Sequence, residues 1–323
     1  MFRYSFSQTL LNQASALVHL YTDGSVSVST GAVELGQGVR RKLQQLVAGL
    51  FALRPERVNV EPTNTARIAN MSPTAASTGA DLNGQAARMA CLDLLNRLKA
   101  VAATALGTEA ERLELREEAI YCDSEKTELD WPTLIGLAYS QRVSLSSHAY
   151  YATPEIWFDR QREQGQPFAY HVFGVGLIEV TVDCLCGTYQ IEAVHVLHDV
   201  GQSLNPLIDR GQVEGGVVQG LGWMTLEELL YDRTGRLATA DLTTYKIPDI
   251  HFAPPIAVHF LEQAANPVGL LGSKAIGEPP FLYGIGVYFA LLQALQAFRS
   301  DLQLRYQAPL TPERVLSMLY TDE

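Results

Sequence analysis

Residues 17–38 read LVHLYTDGSVSVSTGAVELGQG, and this stretch decides the class of the fold. Leu17–Tyr21 and Val26–Ser29 alternate apolar and polar side chains on either side of Thr22-Asp23-Gly24-Ser25. Asp-Gly supplies the positive φ angles of a tight turn, so the two runs predict a β-hairpin. Glu34-Leu-Gly36-Gln37-Gly38 follows, and a helix-period stretch runs from about Arg40 to Leu53, stopped before Pro55. The same order returns later. Gly174–Cys184 and Thr188–His198 predict a second hairpin turning at Cys186-Gly187, then Gly201-Gln202, then a glycine-rich helical segment from about Leu207 to Gly220. A repeated hairpin, Gly-Gln turn and helix suggests a weak internal duplication.

Val58–Glu61 predicts a further short strand and Asp81–Val101 a helix, carried through Leu92, Leu95 and Leu98. Gly107–Asp130 fits neither period. Pro279–Phe298 predicts a long apolar helix opened by a double proline. Hairpins and helices without regular βαβ alternation point to an α+β fold. At 323 residues the chain has room for two subdomains, 1–150 and 151–323, with the aromatic stretch Tyr150–Phe168 joining them. A net charge of -11 argues against nucleic-acid or anionic-membrane surfaces, which need clustered Lys and Arg. No apolar stretch reads as long enough to span a bilayer, and the opening residues have no signal-peptide pattern. Cys91, Cys122, Cys184 and Cys186 form no C-x-x-C pair. Cys184 and Cys186 are expected on one face of a strand, as packing residues with free thiols, and a cytoplasmic location is the simplest expectation.

Three segments hold more glycine and small residues than a core requires. In Glu34-Leu-Gly36-Gln37-Gly38, two glycines flank an amide, which suits close approach to a bulky ligand or a simple strand-to-helix turn. Neither G-x-G-x-x-G spacing nor a P-loop lysine is present. Residues 70–85 hold a run of hydroxyls and tiny side chains, including Thr74, Ala75, Ala76 and Ser77, leading into a helix. Exposed N–H groups at a helix N-terminus suit phosphate or pterin oxygens; the plainer reading is a loop in which Asp81 or Ser77 caps the helix. In Ser273-Lys274-Ala-Ile-Gly277-Glu278-Pro279-Pro280, Glu278 precedes a helix whose dipole favours an ionised carboxylate, the form a general base needs. A first-turn glutamate that only stabilises the helix is the commoner use of such a residue.

Taken in register, these motifs resemble the C-terminal half of the molybdopterin-binding region of the xanthine dehydrogenase and aldehyde oxidase family. The resemblance runs from Phe2-Arg-Tyr-Ser-Phe6-Ser7 through Glu34-Leu-Gly-Gln-Gly and Ser72-Pro-Thr-Ala-Ala-Ser77. It continues through Asp199-Val-Gly-Gln-Ser-Leu-Asn-Pro206, Gln219-Gly-Leu-Gly222 and Thr244-Tyr-Lys-Ile-Pro248 to Lys274-Ala-Ile-Gly-Glu-Pro-Pro280. It implies a fold of the xanthine oxidase type, with a molybdopterin-binding subdomain in each half. It implies Glu278 as the base that activates oxygen at molybdenum, with water as the oxygen source. Gly36, Gln37, Thr74, Ala75, Ala76, Ser77 and Gln219 are the implied cofactor contacts. Phe6 is the implied edge-on partner of an aromatic substrate, and Ser7 stands where purine-oxidising relatives usually have threonine. No residue is expected to ligate molybdenum directly, because the pterin dithiolene holds it.

The resemblance further implies a xanthine or hypoxanthine substrate, with another N-heterocycle such as nicotinate, or an aldehyde, as the alternative. A non-catalytic truncated relative is a second alternative, and hydrolysis with Glu278 activating free water fits only the bare residues. The family carries an N-terminal half of the molybdenum unit that lies outside this sequence. A partner chain supplying that half is therefore expected, as are iron–sulfur clusters and FAD on other chains or subunits.

Overall fold

The computed structural model describes residues 2–4, 6, 8–68, 71–262, 264 and 266–321. The chain divides into two compact units. The first comprises Arg3–Tyr170 with Val268–Leu271; the main segments of the second are His171–Pro267 and Gly272–Glu323. A short strand β1 (Phe2–Tyr4) opens the chain.

In the first unit the hairpin forms as its Asp-Gly turn requires. Strands β2 (Gln13–Leu20) and β3 (Val26–Thr30) pair antiparallel, with Leu20 opposite Val26. Asp23 Oδ1 accepts from the Ser25 N–H at 2.8 Å, which locks the turn. Helix α1 (Val39–Leu50) ends before Leu53, because Ala52 adopts φ 52° and breaks the helical path. Strand β4 (Val58–Val60) then lies parallel to β3. Helix α2 (Gly79–Leu106) is 28 residues long and stops where Gly107 turns left-handed at φ 66°. Its Leu82, Ala86, Ala90, Leu94 and Leu98 are buried at helical spacing, and it packs against β2 and against β8 (Ser146–Ala152), the other neighbour of β2.

The stretch that fits neither period folds as an antiparallel sheet of β5 (Leu113–Arg116), β6 (Ala119–Cys122) and β7 (Glu125–Asp130). Its turns use Glu117-Glu118 and Asp123-Ser124, all at positive φ, where glycine or asparagine is the usual signal. Asp130 then caps α3 (Trp131–Ser140) by accepting from the Thr133 N–H at 2.9 Å. The expected connecting segment contains its own small hairpin, β9 (Trp157–Asp159) and β10 (Gln164–Gln166). Strand β11 (Tyr170–Val172) follows at the division between units.

The second unit repeats the order of the first. Strands β12 (Gly174–Asp183) and β13 (Thr188–His198) form the hairpin, α4 (Pro206–Thr225) follows the Gly201-Gln202 turn, and β14 (Ile256–Phe260) pairs parallel to β13. Cys184 and Cys186 lie in the turn beyond the end of β12, not on a strand face: Cys184 is half-buried against the core and Cys186 is exposed. Asp183 Oδ1 causes this by drawing in the N–H groups of Leu185 and Cys186. The apolar C-terminal helix begins at Phe281, as α5 (Phe281–Gly284) and α6 (Gly286–Phe298), because Pro279 and Pro280 form the turn ahead of it. Phe281–Phe298 is, by length and composition, long and apolar enough to cross a membrane, contrary to the sequence expectation. Its Val287, Leu291 and Leu295 nevertheless form a buried stripe in the core of the second unit, with Val213, Val217 and Leu221 of α4 and Val315 and Leu319 of α7 (Pro312–Tyr320).

Helices α4 and α5 touch backbone to backbone. A Cβ on Gly220 would lie 2.3 Å from the Phe281 carbonyl oxygen, and one on Gly284 2.3 Å from the Val217 carbonyl oxygen. Neither backbone atom can move aside cheaply. Gly220→Ala should therefore cost about 1–3 kcal/mol, the range for overpacked cores, read as a lower urea midpoint. An unchanged midpoint would contradict this packing.

Candidate functional site

The Gly36-Gln37-Gly38 loop is shaped by a residue that the sequence pattern does not single out. Glu34 Oε1 accepts from the N–H groups of Gly36 and Gly38, both at 2.9 Å, and Oε2 accepts from Arg40 N–H at 3.0 Å. Partial burial opposes ionisation, but the N–H groups of Arg40, Gly38 and Gly36 outweigh it and hold the Glu34 carboxyl below its ordinary value. The carboxylate thus caps α1, whose N-cap Gly38 sits at φ 76° and has no side chain to do so. Gln37 folds back on the same loop: Oε1 accepts from Leu35 N–H at 2.6 Å and Nε2 donates to the Val33 carbonyl at 2.7 Å. One N–H and one lone pair of the amide remain beyond those two bonds.

The small-residue loop joins this one directly, since the Val33 N–H donates to Thr74 Oγ1 at 3.0 Å. Ala76 and Ser77 both take left-handed φ, at 53° and 55°, a strained choice for side chains with a Cβ. Neither Asp81 nor Ser77 takes the role of N-cap. Thr78 holds that position without a side-chain cap, and its hydroxyl donates to the Ala75 carbonyl instead. Asp81 is buried, accepting from the Tyr170 hydroxyl at 2.6 Å and from the Leu270 N–H at 2.9 Å. Burial raises its carboxyl above the ordinary value against the pull of those two donors. At the N-terminus of this 28-residue helix the N-cap residue Thr78 makes no side-chain cap hydrogen bond.

Phe6 is half-buried and held by Asn12 on both sides of its peptide unit. The Phe6 N–H donates to Asn12 Oδ1 and Asn12 Nδ2 donates to the Phe6 carbonyl, each at 2.9 Å. Asn12, itself buried, is the second residue the motifs do not reveal. Ser7 lies outside the described residues.

The remaining candidates are in the second unit. Gln219 is exposed on α4, one residue before the glycine that touches α5. Glu278 is exposed, and its carbonyl accepts from the Phe281 N–H at 3.1 Å, so it stands at the mouth of the helix. Strand β13 ends in a buried polar group: His198 Nδ1 lies 2.8 Å from the Tyr283 hydroxyl, while His198 Nε2 has no partner among the described residues. Gly36, Gln37 and Thr74–Ser77 thus share one unit with Phe6, and Gln219 and Glu278 share the other.

Residues 1–254 match the family model described as the molybdopterin cofactor-binding domain. The chain belongs to this family. Among its relatives, this molybdopterin cofactor-binding domain is 37% identical to xanthine dehydrogenase 1 of Arabidopsis thaliana over 97% of the chain, and 39% identical to xanthine dehydrogenase of Dictyostelium discoideum over the same share. It spans 22% of the length of each of these relatives. Its fold is shared with solved enzymes. The Cu,Mo-CO dehydrogenase superposes with a TM-score of 0.80 at 20% identity, covering 95% of this chain and 37% of that one. Quinoline 2-oxidoreductase from Pseudomonas putida 86 gives 0.79 at 23%, covering 95% and 38%.

The loops of the domain fit a pterin cofactor. Among the described residues no three His, Cys, Asp or Glu side chains gather as a metal-holding group. What the first unit offers instead is an α2 whose N-cap Thr78 makes no side-chain cap bond and a backbone at Gly36 where an added Cβ would meet nothing within 4 Å. Backbone donors of this kind suit anionic and carbonyl oxygens rather than a bare metal ion.

The buried imidazole has a measurable consequence. Burial, with Lys274 adding to it and Asp199 and Asp209 opposing it, lowers the His198 pKa from 6.5 to about 4. Between those values the unfolded chain binds more protons than the folded one, so this stability is complete above about pH 6.5 and drains as pH falls toward 4. Between pH 7 and pH 4 the native chain should lose up to about 3 kcal/mol more than His198→Gln, compared by urea titration at each pH. Equal losses would mean that His198 is not held neutral by burial.

Proposed function

We propose that this chain is the cofactor-binding portion of a xanthine dehydrogenase-type molybdenum hydroxylase that oxidises hypoxanthine or xanthine with water as the oxygen source. The observation that carries the reading is Glu278, exposed just ahead of the short helix α5 and followed by two buried prolines. The bound cofactor supplies a two-electron acceptor and the oxygen nucleophile. Glu278 Oε accepts the proton that must leave as the carbon–oxygen bond forms, and the helix N-terminus behind it favours the ionised state needed to begin.

The other residues position and bind. Gly36 allows the backbone to approach the pterin, Gln37 keeps an N–H and a lone pair for it, and Thr74–Ser77 bring the N-terminal N–H groups of α2 to its oxygens. Gln219 offers a second amide from α4. Phe6, clamped by Asn12, presents a ring edge to an aromatic substrate, and Ser7 offers a hydroxyl beside it. Further polypeptide supplies the rest of the molybdenum site, and iron–sulfur and FAD components on other chains or domains take the electrons away. A cytoplasmic enzyme of purine breakdown is the setting that fits this reading.

The test uses the complete enzyme that contains this chain, assayed with purines, aldehydes and nicotinate. Glu278→Gln should lower turnover by about 10²–10⁴-fold, the usual worth of a positioned base, while molybdenum content stays unchanged. Near-native turnover in a molybdenum-loaded Glu278→Gln enzyme would refute the base. Faster turnover of aldehydes or nicotinate than of purines would refute the substrate class.

A further inference from the structure

We infer that Lys274 and Asp199 are positioning residues for Glu278: their buried ion pair pins the near end of the loop that carries it. The inference rests on the reading of Glu278 as base. Lys274 Nζ donates to Asp199 Oδ2 at 2.5 Å, with the two side chains only 13% and 5% exposed. The backbone beneath is stitched as closely. Lys274 N–H donates to the Val200 carbonyl at 2.9 Å, Gly201 pairs with Ser273 as an isolated bridge, and Asp199 Oδ1 accepts from the Gly201 N–H at 3.2 Å. Asn266 Nδ2, also buried, donates to the Ser273 carbonyl at 2.9 Å.

The far end of the loop is fixed by different means. Pro279 and Pro280 are buried, and Pro280 lies against α4 where a Cβ on Gly216 would meet its ring at 3.0 Å. Between the two anchors Ala275 and Ile276 are buried, whereas Gly277 and Glu278 are exposed. The ion pair stands four residues before the base, with buried Ala275 and the core residue Ile276 between them. A buried ion pair is a poor device for stability alone, since apolar side chains of like size often do as well. Fixed geometry is what it adds, and a base displaced by 1 Å loses much of its rate.

The experiment compares Lys274→Met, Asp199→Asn and Lys274→Arg in the complete enzyme, with Glu278→Gln alongside. The first readout is amide hydrogen exchange of the segment 273–281, which needs no turnover. Exchange there should quicken about tenfold or more in Lys274→Met and Asp199→Asn and return toward native in Lys274→Arg, because local opening governs it. The second readout is kcat per bound molybdenum, which should fall by about 10–100-fold with KM little changed. Native exchange in both disrupted variants overturns the inference. So does quickened exchange with native kcat, since the tether would then not serve the base. If Lys274→Met does not fold, the double variant Lys274→Met/Asp199→Asn, which leaves no buried charge unpaired, carries both readouts. Retained turnover in Glu278→Gln would sink the base while the exchange result still decides whether the pair holds the loop.

Discussion

Two helices in the second unit approach so closely that no side chain fits between them, and the geometry of the loop around Glu278 follows from that contact. Gly216 and Gly220 of α4 meet Pro280, Phe281 and Gly284 through backbone atoms and one proline ring. Contacts of this kind have almost no slack, because interiors are packed like crystals and carbonyl oxygens cannot choose another rotamer. Gln219 and Glu278 are both exposed residues next to this rigid contact, one on each side of it. The backbone next to each is therefore fixed by packing.

Each unit solves the same local problem with a carboxylate. After its hairpin the chain must turn through a glycine-containing loop into a helix, and the peptide groups of that loop need partners. In the first unit Glu34 gathers three N–H groups and caps α1. In the second, Asp199 accepts from the Gly201 N–H with one oxygen and from Lys274 with the other, while Asn205 caps α4 by accepting from the Ile208 N–H. Both units then return with a strand parallel to the second strand of the hairpin. The likeness is thus one of connection as well as of order. The loop chemistry differs: backbone donors face a carboxylate in one, and an ion pair ties loop to loop in the other.

Much of this was legible in the residues. Asp23-Gly24 and Gly187 marked both hairpins, the periodicity of Asp81–Val101 through Leu92, Leu95 and Leu98 marked α2, and Pro279-Pro280 marked a helix start. Local signals of this kind act within a few residues. The parallel strands β4 and β14 were not legible as partners, because nothing local specifies pairing across a helix. The sheet β5–β7 was hidden by turns built from glutamate, aspartate and serine at positive φ, where the packed structure overrides the usual preference. Asp81 reads as a cap by position and proves to be a buried acceptor for Tyr170 and Leu270, the latter distant in sequence. Asn12, Glu34 and the Lys274–Asp199 pair are ordinary residue types whose roles exist only once distant backbone is in place.

The protonation state of His198 follows from a competition. Burial and Lys274 lower its pKa, Asp199 and Asp209 oppose them, and Tyr283 closes on the imidazole from α5. Burial outweighs both carboxylates at His198 and keeps the imidazole neutral near pH 7; the Tyr283 hydroxyl is pushed up to about 12 by burial and by Asp199, so it stays protonated. Neither neighbour can then offer Asp199 a cation. That task falls to Lys274, on the same segment as Glu278, and the low exposure of the two side chains makes the bond worth more than it would be at the surface. The electrostatic need of Asp199 is thereby converted into a mechanical constraint. Breaking the pair would leave the Lys274 ammonium, only 13% exposed, without this carboxylate, and that cost opposes release of the loop it begins.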